Sequence, residues 1–146
     1  MRRRADRAQP REVFEVRQCL EAEAAVLAAR RRTADDLCRL DALLTRRDAT
    51  WAAGDFEGFA AADIAFHQAV VDAAHNDVLS DLYRHLAGSI GEIIRLDVAV
   101  HPGTGDQTGV HAPLLAAIRA RDEAAARAQT AAYLDEHLRQ LGSDAG

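Results

Sequence analysis

Residues 62–71 read ADIAFHQAVV, and this stretch decides the fold. Asp63 and His67 are four residues apart, so on a helix they stack on one face, together with Phe59, Phe66 and Val70. A carboxylate and an imidazole are therefore aimed into a core. An ionised Asp taken out of water without a partner is strongly disfavoured, so the pair needs something buried with it. A metal ion, a ligand or a hydrogen-bond network each meets that need. The same reasoning singles out His111 in GVHAPLLAAI, residues 109–118, because it shares a helical stripe with Leu114, Leu115 and Ile118. Two helices thus direct polar groups inward.

Composition bounds what surrounds them. A chain of 146 residues suits one domain with a single substantial core. Alanine and leucine dominate, aromatics are 5% and prolines number 3, a balance that favours helices over sheet. Every basic residue is arginine. The net charge of −5 argues against DNA binding by the body of the domain, since phosphate contacts need a basic footprint. Only the start is basic: MRRRADRAQPR, residues 1–11, reads as a solvated tail or linker stub preceding a domain over 12–146. Cys19 and Cys38 lack a CxxC spacing and fall within helical patterns, so buried free thiols in a reducing cytoplasm are expected. Neither a membrane-spanning stretch nor a signal peptide is indicated.

Periodicity places six helices. The first is predicted over Glu12 to Arg31, with Val13, Val16, Leu20, Ala24 and Leu27 as its apolar stripe. Thr33 reads as the N-cap of a second, carrying Leu37, Leu40, Leu43 and Leu44 and ending near Trp51 to Gly54. Asp55 caps a third, roughly Phe56 to Ala74, which His75-Asn76-Asp77 interrupts. A fourth begins near Val78 and buries Leu79, Leu82, Leu86, Ile90, Ile93 and Ile94, with Gly88 and Gly91 allowing a bend. Residues 101–109, HPGTGDQTG, form the one long loop. A fifth helix spans Val110 to Ala120, tolerating Pro113 in its first turn, and a sixth runs from an Asp122 cap to about Leu141. Six amphipathic helices with short links imply an all-α antiparallel bundle.

The order of these features is specific: VRQCLE at 16–21, DIAFH at 63–67, AAHN at 73–76, VH at 110–111 and RARDEAAARAQTAAYLDEHL at 119–138. From Val13 to Leu141 the chain resembles the FadR C-terminal (FCD) ligand-binding domain of GntR-type transcription regulators. The resemblance implies an effector-sensing domain that is not an enzyme, an all-α bundle with a central ligand and metal cavity, in which an Asp and three histidines hold a divalent metal, zinc or nickel, beside a small organic acid. Asp63, His67 and His111 match the first three ligands. The fourth does not match, because the position expected to carry histidine is Tyr133. A phenol is a poor ligand unless deprotonated, and its usual pKa is near 10. His137, one turn after Tyr133, is a possible substitute.

The resemblance further implies that Arg17 clamps an effector carboxylate, with Asn76 and Tyr133 as additional effector contacts. Arg17 could equally pair with Glu21 at i, i+4, and Asn76 could simply cap a helix. His75, His85 and His101 read as surface groups. A homodimer is expected, and DNA would be reached only through a winged helix-turn-helix that this chain lacks. Two alternatives stand beside this reading. One is a metal-dependent hydrolase, with Glu21 or Asp72 as the base by default. The other is a metal-free dimerisation module.

Overall fold

The computed structural model describes residues 10–100 and 108–143, with side chains at 10, 93–94, 96–100 and 140–143 left aside. Among the described residues there are six helices: α1 (Pro10–Arg31), α2 (Ala34–Ala52), α3 (Phe56–Asp72), α4 (Asp77–Val100), α5 (Ala112–Arg119) and α6 (Glu123–Ser143). Local chemistry explains most of their limits. Thr33 accepts from the Asp36 N–H while the Asp36 side chain accepts from the Thr33 N–H, a reciprocal capping box that starts α2. Asp55 accepts from Gly58 to start α3, and Asp122 accepts from Ala125 to start α6. The α3–α4 break comes where His75 adopts a positive φ of 49° and Asn76 caps the next helix through Leu79 N–H.

Short links fold α2 back on α3 and α3 back on α4, so each pair packs antiparallel. α1 is the central element, in contact with α3, α4, α5 and α6. One part of the core gathers Phe14, Leu40, Leu44, Phe66, Leu114, Ile118 and Leu134. A second gathers Val13, Phe59, Val71, Leu79, Tyr83 and Ile90. α3 supplies both, and each fully buried side chain of this size contributes roughly 1.5–3 kcal/mol. No helix among the described residues is long and apolar enough to cross a membrane.

Three expectations need correction. Cys19 and Cys38 are exposed, because each falls just off the buried stripe of its helix. Val16 is half exposed; the rest of the expected stripe holds, with Val13 and Ala24 buried and Leu20 and Leu27 packed alongside, while α1 also buries Phe14, Arg17, Glu21, Ala25 and Ala28. Leu82 is likewise exposed, and its neighbour Tyr83 takes the core position. α4 runs through Gly88 and Gly91 as one helix; a Cβ at Gly91 would stand 2.7 Å from Ile64 Cδ1, so this glycine serves the close approach of α3 to α4. The burial expected of Ile93 and Ile94 lies outside the described side chains. The loop over 101–109 lies outside the described residues except for Thr108 and Gly109, which open the turn into α5. The basic tail over 1–11 lies outside them too, apart from Pro10 and Arg11, which already belong to α1.

Candidate functional site

Asp63 and His67 project from α3 as their four-residue spacing requires, and His111 arrives from the residue just ahead of α5. All three are buried. Asp63 Oδ1 lies 3.4 Å from His67 Nε2 and 3.3 Å from His111 Nε2. One ligand atom from each residue lies within 4.8 Å of the others. Ligands bonded to a single ion at roughly 2.1 Å and near-tetrahedral angles stand about 3.4 Å apart, so the two Asp–His spacings suit a shared cation. His67 Nε2 makes no well-aligned hydrogen bond among the described residues; it faces Asp63 at ion-pair distance, and a metal would take the place of a proton on this nitrogen.

The other face of His67 is fixed by a residue that the sequence offered only as a partner of Arg17 or, by default, as a general base. Glu21 Oε1 lies 2.8 Å from His67 Nδ1 and accepts the Tyr133 hydroxyl proton at 2.7 Å. Its second oxygen accepts from Arg17 Nε. An ionised carboxylate at Nδ1 requires the proton there, so Nε2 is the basic nitrogen facing Asp63. Metal-binding histidines commonly carry such a carboxylate on the nitrogen away from the metal. Arg47 on α2 completes the surroundings: its Nε donates to Asp63 Oδ1 at 2.6 Å and its guanidinium lies 4.8 Å from the Phe59 ring centre.

These contacts set the charges. Burial works against the Glu21 charge, yet Arg17, His67 and Tyr133 outweigh it and hold the carboxyl down at about 2. Burial also opposes the Asp63 charge, and His67, His111 and Arg47 together hold that carboxyl well below its usual range. His111 is pushed down to about 3, chiefly by burial, so it is a neutral imidazole ready to ligate. For His67, burial is overcome by the carboxylates of Glu21 and Asp63, and its pKa is raised. Tyr133 stays a protonated phenol, because burial and then Glu21 raise its pKa well above 10.

The remaining expected residues fall as follows. Arg17 is buried in its pair with Glu21 and lies over the Phe14 ring. Tyr133 packs between both imidazoles, with ring centres 5.4 Å from His67 and 4.6 Å from His111, but turns its hydroxyl toward Glu21. His137 is partly buried, gives its Nδ1–H to the Tyr133 carbonyl at 2.8 Å and stacks on Phe14; it is not one of the three converging ligands. Asn76 is committed to capping α4. His75 pairs with Asp36 at the surface, His85 is exposed beside the Asp81 carbonyl, and His101 lies outside the described residues. Asp72 is engaged by Gln68 Nε2 at 2.9 Å and faces Arg39 and Arg84.

Sequence reasoning missed Arg47 and Tyr83, both buried, with the Tyr83 hydroxyl under the influence of Glu21 and Arg17. The available signal for Arg47 was its position three residues after Leu44, on the core-facing stripe of α2.

Comparison with known proteins agrees with this architecture. A family model described as the FCD domain matches residues 12–136. The HTH-type transcriptional regulator LutR of Bacillus subtilis (strain 168) is 36% identical over 85 residues, which is 58% of this chain and 38% of LutR. The chain thus spans well under half of that relative's length. The solved structure of McbR/YncC of E. coli superposes with a TM-score of 0.81 at 21% identity, covering 94% of this chain and 68% of that one, a likeness of fold. The match over nearly the whole helical body establishes that the chain belongs to the FCD domain family of GntR-type transcription regulators.

Proposed function

We propose that this chain is an effector-sensing domain that binds a divalent metal, zinc or nickel, through Asp63, His67 and His111, and a small carboxylate beside it. The observation that carries the reading is the buried convergence of His67 Nε2, His111 Nε2 and Asp63 Oδ1, with His67 oriented by Glu21 from behind. One carboxylate and two imidazoles suit a borderline ion such as zinc or nickel better than calcium or magnesium. A metal bound there supplies a Lewis-acidic attachment point for a ligand oxygen.

Charge supports the carboxylate. The guanidinium groups of Arg17 and Arg47 face the carboxylates of Glu21, Asp63 and the partly exposed Asp48. Adding a divalent cation turns this arrangement net positive by one, and a single carboxylate restores neutrality within a buried site. Arg17 and Tyr133 are the donors closest in kind to such a ligand, and either must loosen its hold on Glu21 to serve it. Contact from Asn76 would require surrender of its helix cap. In a longer regulator, ligand binding here would shift helix positions only through differential contacts in two states. As that setting we propose a homodimeric DNA-binding regulator in a cytoplasm, of which the name of LutR supports the helix-turn-helix regulator alone.

The test is calorimetric titration of chelator-treated protein with zinc and nickel, repeated on His111→Ala. Binding near one ion per chain is expected, weakened at least tenfold in the variant, as is usual on loss of site groups. Small carboxylates should then raise the melting temperature of the metal-loaded protein more than that of the metal-free one. Equal binding by His111→Ala would remove His111 from the site. No binding at all would leave the metal-free dimerisation module as the better reading.

A further inference from the structure

Asp63 is fixed by the helix that carries it, whereas His111 is not. His111 stands at the N-cap position of α5 with φ −98° and ψ 0°, and its side chain makes no capping hydrogen bond. The turn before it depends on Gly109, whose φ of 72° is a conformation that only glycine adopts without strain. Gly109 accepts from Ala112 N–H, and its own N–H donates to Asp48 Oδ2 at 3.1 Å. Asp48 Oδ1 accepts from Arg47 Nη1 at 3.0 Å, and Arg47 Nε donates to Asp63 Oδ1 at 2.6 Å. A continuous chain of hydrogen bonds therefore joins one expected ligand, Asp63, to the backbone two residues ahead of another, His111.

We infer that Arg47 and Asp48 form a clasp that sets the spacing of Asp63 and His111, which makes Asp48 a positioning residue of the metal centre. The inference rests on the metal reading above. Arg47 is a suitable anchor because it is buried and lies against the Phe59 ring, so its position is set by core packing. Asp48 is a suitable link because its two oxygens face in two directions, one to α2's own Arg47 and one to the turn. Asp48 itself touches none of the three ligand side chains through these bonds; it acts through Gly109 and Arg47. Outer groups of this kind are usually worth about 10–100-fold in metal affinity.

Chelator-treated protein, Asp48→Ala and Asp48→Asn are titrated with cobalt(II) and zinc(II) against a competing chelator, with cobalt absorption and amide exchange at Gly109 followed in parallel. Asp48→Ala is expected to bind about tenfold more weakly, with an altered cobalt spectrum and faster exchange at Gly109. Asp48→Asn keeps an oxygen for the Gly109 N–H and loses the charge facing Arg47, so it should fall between wild type and Asp48→Ala. Wild-type affinity and an unchanged cobalt spectrum in Asp48→Ala overturn the clasp and leave the metal reading intact. If Asp48→Ala does not melt cooperatively, Asp48→Asn decides: wild-type affinity with an unchanged spectrum overturns the clasp. Failure of the unmodified protein to bind either ion overturns both readings.

Discussion

Glu21 on α1 and His67 on α3 meet carboxylate to imidazole at 2.8 Å, with the same Glu21 carboxylate also taking the Arg17 guanidinium and the Tyr133 hydroxyl. One acidic side chain thus neutralises a buried arginine, fixes the tautomer of a candidate ligand and anchors the residue that stands where a fourth histidine is expected. Its removal should be felt in stability and in metal binding separately. Glu21→Ala leaves Arg17 buried without its counter-charge, and breaking such a pair costs about 3–5 kcal/mol. Glu21→Gln keeps the volume and one acceptor, so it should lose less stability while still lowering metal affinity about 10–100-fold. Urea unfolding and zinc titration on both variants check this. Wild-type zinc affinity in a folded Glu21→Gln would count against the orienting role.

Tyr133 offers the complementary experiment. Its ring already lies against both imidazoles, and its hydroxyl proton goes to Glu21. Tyr133→Phe removes one bond to a carboxylate that retains two other donors, a loss of about 1.5–3 kcal/mol at most. Tyr133→His places a fourth imidazole beside the three-ligand set and should tighten zinc binding by tenfold or more, because a nitrogen ligand then replaces water. Competition titration against a chelator of known affinity gives the answer. An affinity equal to wild type would mean that the imidazole cannot reach the site from this position of α6.

What the sequence disclosed depended on whether a signal was local. The caps at Thr33, Asp55 and Asp122, the four-residue spacing of Asp63 and His67, and the stripe shared by His111 with Leu114 and Ile118 all lie within one or two helical turns. The family resemblance joined these pieces across the chain. Beyond the i, i+4 pair of Arg17 and Glu21, the rest of the site depends on partners that no window reveals. Arg17, Glu21 and Arg47 hold core positions as charged side chains, so hydrophobic periodicity treats them as surface and sees only part of the buried face of α1. Their burial is explained only by one another and by His67, Tyr133 and Asp63, which arrive from other helices. Tyr83 was lost for a similar reason, since Leu82 beside it gives the stronger apolar signal.

The same buried groups give the metal-free protein a defined pH profile. His111 is held neutral in the fold, mainly by burial, with its pKa near 3, whereas the unfolded chain takes up a proton near 6.5. Between those values the unfolded state binds the extra proton, so stability rises with pH by about 1.4 kcal/mol per unit and falls on acidification. Glu21, lowered from 4.5 to about 2, adds a second proton of the same sign below pH 4.5, and Asp63 a third at still lower pH. His67 acts in the opposite sense. Its raised pKa gives stability that is complete below 6.5 and is lost as pH rises through the folded value. The metal-free protein should therefore be most stable near pH 6.5, weaken gently down to pH 4.5 and more steeply below it. Denaturant melts at half-unit steps from pH 3.5 to 8.5 measure the profile. In His111→Gln the slope between 4.5 and 6.5 should flatten, and an unchanged slope there would show that His111 is not held neutral by the fold.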